Sequence, residues 1–70
     1  MEKYKVTVSV TSGNNTVKRV KENIPASKKF QAIGKALYKG YKIEIEGSFF
    51  IILTKKDNIK VITVAMFRQD

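Results

Sequence analysis

Strict alternation opens the chain. From residue 4 to 11 it reads Tyr-Lys-Val-Thr-Val-Ser-Val-Thr. Successive side chains of a strand point to opposite faces, so Tyr4, Val6, Val8 and Val10 form an apolar face and Lys5, Thr7, Ser9 and Thr11 a polar one. Ser12-Gly13-Asn14-Asn15 is a hairpin turn, because Gly and Asn tolerate the positive φ that tight hairpins require. The second strand, from Thr16 to about Asn23, is less regular. With Val10 opposite Val17, simple pairing sets Val20 opposite Thr7, on the polar face. One extra residue near Lys18-Arg19 would move Val20 opposite Val8 and bring Ile24 opposite Tyr4, so a β-bulge is expected there.

Pro25 ends this strand, and a helix is predicted over Ala26 to Lys39, with Pro25 as its first residue or Ser27 as a late N-cap. Phe30, Ile33, Gly34 and Leu37 recur at helical spacing, with Tyr38 at their border, and define the apolar stripe. Gly34 on that stripe suggests close helix–sheet approach. Lys28, Gln31, Lys35 and Lys39 fall on the opposite side. Gly40 is placed to cap the C-terminus. Alternation returns at Tyr41 to Glu46, with Tyr41, Ile43 and Ile45 inward, and Glu46-Gly47-Ser48 turns the chain into Phe49-Phe50-Ile51-Ile52-Leu53-Thr54. That run is apolar on both faces, as in a central strand. Lys55-Lys56-Asp57-Asn58 is the next turn, and Ile59 to about Phe67 the last strand, with Arg68-Gln69-Asp70 frayed.

The order is β-β-α-β-β-β. The expected fold class is α+β, a two-layer domain over residues 1–70 with one helix packed on a mainly antiparallel five-stranded sheet. A single helix covers only part of one sheet face. Phe50, Ile52, Ile62, Val64 and Met66 are therefore candidates for an apolar patch on the other face, available to a partner or a second copy. A strongly coiled sheet that folds over both sets is the alternative.

Composition narrows the chemistry. At 70 residues, with 43% hydrophobic positions, the chain is one small globular domain with a modest core. It has neither Cys nor His. Disulfides, the usual zinc and haem ligands, thiolate nucleophiles and imidazole bases are thereby excluded. No apolar run reaches membrane-spanning length, and the N-terminus lacks the apolar block of a signal peptide, so a soluble cytoplasmic protein is expected. There is no Walker loop, GxGxxG or nucleophile elbow, so neither a cofactor, a small-molecule substrate nor an enzymatic activity is expected. Glu44 and Glu46, two apart on one strand, are better read as cross-strand partners of lysine than as a metal or acid–base pair.

Charge is the functional signal. Fourteen Lys and Arg against six Asp and Glu give +8. Such a domain attracts polyanions, above all nucleic acid. Only Arg19 and Arg68 are arginines; lysine favours phosphate contact over bidentate reading of base edges. The candidate binding residues are Lys3, Lys5, Asn14, Asn15, Lys18, Arg19 and Lys21 on the first hairpin, and Lys28, Lys35 and Lys39 on the helix, with Lys29 and Lys42 at its margins. A two-stranded ribbon can enter a major groove, and a helical lysine row can follow a phosphate backbone. Solvated surface is the plain alternative for both. Phe49, Phe50, Tyr4, Tyr38 and Tyr41 could stack on single-stranded bases, but only Phe50 is not better placed in the core.

The first expectation is a non-catalytic, accessory or regulatory nucleic-acid-binding protein, DNA before RNA, acting through lysine–phosphate contacts. The alternative is a protein-interaction module: a small phage- or mobile-element-type inhibitor that docks on a larger host enzyme, with homodimerisation as a further option. The bias toward Lys, Ile and Asn is that of an AT-rich genome, as in many low-GC bacteria and their phages.

Overall fold

A computed structural model describes residues 2–69. Two strands, β1 (Lys3–Ser12) and β2 (Asn15–Pro25), precede the helix α1 (Ala26–Tyr38), and β3 (Lys42–Glu46), β4 (Phe50–Asp57) and β5 (Lys60–Gln69) follow it. The strands form one sheet in the order β2-β1-β5-β4-β3, and every neighbouring pair is antiparallel. The edge strands β2 and β3 are joined through the helix, which lies on one face. The α+β two-layer architecture read from the hydrophobic pattern is the one observed. Its centre is different: β5, not the Phe49–Thr54 run, is the middle strand. It pairs with β1 continuously from Lys3↔Gln69 to Ser12↔Lys60 and with β4 on its other side. Arg68 and Gln69 are thus paired rather than frayed; Asp70 lies outside the described residues.

Both tight hairpins turn on a left-handed residue. Gly13 (φ 60°) is the first residue of the two-residue loop between Ser12 and Asn15, where glycine carries no Cβ penalty. Asn58 (φ 60°) does the same between Asp57 and Lys60, so β4 runs through Lys55 and Lys56, which the sequence pattern assigns to the turn. The first bulge also moves. Val10 opposes Val17 and Ile24 opposes Tyr4 as expected, but plain pairing continues through Thr7↔Val20 to Val6↔Lys21, and the extra residue falls between Lys21 and Ile24. Asn23 supplies the left-handed conformation there (φ 59°), which asparagine tolerates far better than the lysine and arginine at 18 and 19. The Asn23 N–H donates to Gln69 Oε1 at 2.8 Å and ties the bulge to β5.

A second bulge changes β3. Ile43 opposes Leu53 whereas Ile45 opposes Ile52, so Glu44 is the extra residue. Directly opposed residues share a face, so Ile43 and Ile45 lie on opposite faces and not together inward. Glu44 and Glu46 are separated likewise: Glu44 accepts from the Thr54 hydroxyl at 3.1 Å, while Glu46 opposes Ile51.

The core lies between the helix and the sheet. Ile51, Leu53 and Met66 are buried together with Ala36, and Val6, Ala32, Ile33, Tyr41 and Val64 pack around them. The helical contact stripe is therefore Ala32, Ile33 and Ala36, turned from the expected Phe30–Ile33–Gly34–Leu37. Phe30 is 66% and Tyr38 93% exposed. Two alanines bring the backbone close to the sheet more cheaply than a stripe of large side chains would allow. Gly34 plays no part in this approach, since a Cβ there meets nothing within 4 Å. Gly34→Ala should accordingly raise unfolding stability by roughly 0.5–1 kcal/mol, read as a shift in urea midpoint at constant slope.

The helix begins at Ala26 after Pro25, whose ring allows no side-chain cap, so neither Pro25 at the first helical position nor a Ser27 cap is realised. It ends in a Schellman motif: Gly40 (φ 97°) donates to Leu37 O at 3.1 Å and Tyr41 to Ala36 O at 3.0 Å. Tyr4 closes one end of the core. Its ring sits beneath Lys29 Nζ, 4.1 Å from the centroid, and its hydroxyl donates to Glu2, which also pairs with Arg68 at 3.6 Å.

Candidate nucleic-acid interface

Register decides where the basic residues go. Because no bulge intervenes between Val17 and Lys21, Val17, Arg19 and Lys21 share the helix face with Val6, Val8 and Val10, and Lys18 and Val20 point to the outer face. Arg19 opposes Val8 and Lys21 opposes Val6, on the helix side; Lys18 opposes Ser9, on the outer side. Lys3 and Lys5 share that outer side. The hairpin cluster expected from the sequence is thus split between two surfaces. Asn14 and Asn15 are exposed at the hairpin tip, and Lys39 is exposed at the helix C-terminus.

The helix restores a cluster on its own side. Between α1 and β2 runs an open groove of about 540 Å³, floored by Val6, Val8, Ile24 and Ala32. Arg19 and Lys21 line it from the strand, and Lys28, Gln31 and Lys35 from the helix. Among the described residues, no Asp or Glu lines it. The lysine row that the helical spacing set away from the apolar stripe therefore faces the hairpin across this groove, because the stripe itself is turned. Beyond the helix the trough continues as a smaller hollow over Val8, Val10 and Val17, with Arg19 at the junction.

Four cations converging on a low-dielectric floor focus a positive potential into the groove. The helix makes this costlier than it need be. Its first turn holds no acidic residue and instead carries Lys28 and Lys29, at the end where the helix dipole favours negative charge. Glutamate there would add about 0.3–1 kcal/mol of stability. Positive charge is placed where folding alone would select against it.

The outer face is the second surface. Phe50 and Phe67 are opposed on β4 and β5, with ring centroids 5.8 Å apart and planes at 22°. Ile52 opposes Ala65 in the next row, and Ile45 opposes Ile52. The expected patch of Phe50, Ile52, Ile62, Val64 and Met66 does not exist as one surface. Ile62, Val64 and Met66 oppose Val10, Val8 and Val6 on the helix face, where Met66 is 1% exposed. Alternation within each strand holds, but which β5 set accompanies Phe50 depends on the register across the Asn58–Ile59 turn. That register selects Phe67 and Ala65, which the sequence pattern does not single out.

Of the other aromatic candidates, Tyr4 is buried and Tyr41 half-buried against the core, Tyr38 is exposed, and Phe49 lies under the Arg68 guanidinium, 5.4 Å from its centroid. Among the described residues no group of three or more His, Cys, Asp or Glu is arranged to hold a metal, and no helix is long and apolar enough to cross a membrane.

No family model matches the chain, and no curated protein and no solved structure is significantly similar to it.

Proposed function

We propose that this is a small nucleic-acid-binding protein of accessory or regulatory type, non-catalytic, which holds the DNA phosphate backbone along the α1–β2 groove. The observation that carries the reading is the convergence of Arg19, Lys21, Lys28 and Lys35 on one groove that no carboxylate of the described residues lines. Lysine dominates, so the contacts position the backbone and do not read bases. Gln31 can donate to the same phosphates. Fluorescence anisotropy with a labelled duplex of arbitrary sequence tests it. Binding should be retained near physiological salt, should weaken steeply as salt rises, and should change little with sequence. Binding that is already absent at about 50 mM salt would refute the reading.

The apolar floor favours a second reading. A groove with valines below and cations on its rim also suits an acidic amphipathic segment of a protein, as an inhibitor docking on a larger host enzyme would use. Val17 separates the two. It is 64% exposed, at the apolar extension of the groove. Val17→Ser should leave DNA affinity within about twofold, since phosphate contacts do not use it, but should weaken an apolar docking contact by a factor of about 10.

A further inference from the structure

We infer that the outer face of the sheet is a binding platform for single-stranded nucleic acid, with bases stacking on Phe67 and the strand backbone held by Lys5 and its neighbouring lysines. The inference takes from the preceding proposal only the nature of the ligand. It concerns the opposite face of the sheet and stands on different residues.

The platform is built, not incidental. Phe50 and Phe67 stand side by side on adjacent strands with nearly parallel rings. Phe50 is held from behind by Gly47: a Cβ on Gly47 would lie within 2.9 Å of three atoms of the Phe50 ring, so only glycine leaves the ring its place. The Gly47 N–H donates to the Phe50 carbonyl at 2.9 Å and fixes the loop under it. Phe50 in turn supports Phe67, which remains 44% exposed and offers its ring to solvent. An aromatic ring so braced loses little conformational freedom when a base stacks on it. Base–aromatic stacking is tolerant of sequence, because every base has a π-face.

The surroundings select the ligand. Lys5 opposes Phe67 directly on β1, and Lys3 lies two residues before it on the same face. Lys18 opposes Ser9 and Lys42 opposes Thr54 further along. Lys56 opposes Val61. Between them run hydroxyls: Thr7 opposes Ala65, Ser9 opposes Thr63, and Thr63 opposes Thr54. Two carboxylates reach this face, Glu44, bound to Thr54, and Glu22, in the β2 bulge opposite Lys5, against the five lysines Lys3, Lys5, Lys18, Lys42 and Lys56. A protein-binding patch is depleted of lysine at its centre, and here a lysine stands beside the more exposed ring of the pair. A second copy would bring these lysines against their equivalents in a chain of net charge +8. A polyanion with flat apolar bases meets both requirements of the surface, and a single strand presents those bases where a duplex hides them.

The test uses fluorescein-labelled oligothymidylate of about 12 nucleotides, within the site size of a small single-strand-binding domain, and a labelled duplex. The proteins are wild type, Phe67→Leu and Phe67→Trp. Leucine keeps an apolar side chain at a partly exposed position but cannot stack. Phe67→Leu should lower affinity for the single strand roughly 5- to 150-fold, the range for one stacked base, and leave duplex affinity within about twofold. Phe67→Trp should restore single-strand binding. Because the natural chain contains no Trp, that variant also carries a single reporter, whose emission the oligonucleotide should quench. Thermal melts by circular dichroism confirm that each variant is folded. Lys5→Gln should reduce the salt slope of single-strand binding by about 0.7, one phosphate contact. Equal affinity of wild type and Phe67→Leu for the single strand would overturn the inference. So would a Phe67→Trp variant whose emission the oligonucleotide leaves unchanged. Parallel loss on both ligands would overturn it too, since it would mean that Phe67 serves the fold. A concentration-dependent dimer that Phe67→Leu dissolves, with oligonucleotide binding untouched, would assign the face to a second copy instead. Failure of duplex binding alone would refute the groove reading and leave this one standing.

Discussion

Reversal of Arg19, Lys21, Lys28 and Lys35 to glutamate is expected to reduce duplex affinity roughly 1,000-fold at about 0.1 M salt. Each neutralised phosphate contributes a slope of about −0.9 in log K against log salt, so four contacts sum to about −3.6 and are worth roughly three to four decades between 1 M and 0.1 M. The four reversals also take the net charge from +8 to 0, since each removes two units (8 − 4 × 2 = 0). A control must therefore carry the same charge change elsewhere. Lys42, Lys55, Lys56 and Lys60 line no part of the groove. Reversing them should cost less than about tenfold, through the weaker long-range field alone. Equal losses in the two variants would mean that net charge, not the groove, binds DNA. Circular dichroism of both variants checks that they are folded, because four glutamates repel one another as the four cations do, and the gain from Lys28→Glu in the first turn of α1 is offset by Lys35→Glu in its last turn.

Leu53→Ala is expected to lower the unfolding free energy by about 2–5 kcal/mol. Leu53 is 0% exposed, at the meeting point of β4, β5 and the helix. Its removal leaves a cavity that neighbours on a hydrogen-bonded sheet cannot collapse to fill. The consequence is large because the core is small. A chain of this length has about 4–10 kcal/mol in total, so one methyl cluster represents about half of it. The thermal midpoint should fall by about 10–30 °C. Ile59→Ser is the reference: Ile59 is 77% exposed in the β4–β5 turn and should change stability by less than about 0.5 kcal/mol. Urea titration of both variants decides the matter, and similar midpoints would contradict the placement of the core.

The elements and their order are legible because local periodicity encodes them. Tyr4 to Val10 alternates without exception, and Gly13, Pro25 and Gly40 punctuate where backbone chemistry requires it. What escapes the pattern is set by relations between segments. The largest helical residues, Phe30 and Leu37, suggest one stripe, whereas the sheet is met by Ala32 and Ala36, whose small size lets the backbones approach. Burial of Val20 favours a β2 bulge near Lys18-Arg19, but an asparagine able to take positive φ lies at position 23, and it prevails over the burial of one valine. That displacement by a few residues decides the site: Arg19 and Lys21 fall on the helix face together with Lys28 and Lys35, and Lys18 falls on the other. The candidate groove is thus a consequence of one left-handed residue, and the signal for it is Asn23 itself. Likewise Phe67 joins Phe50 only through the two-residue loop at Asn58 and Ile59, a register that alternation within each strand leaves open.

The groove is most directly tested by the salt dependence of duplex binding in wild type and in a variant with Arg19, Lys21, Lys28 and Lys35 changed to glutamine. Neutral substitution removes the phosphate contacts without adding repulsion. The slope of log K against log salt should become shallower by about 3 to 4, or about 0.9 for each phosphate no longer neutralised. An unchanged slope would contradict the assignment, because the phosphates would then be held by other lysines.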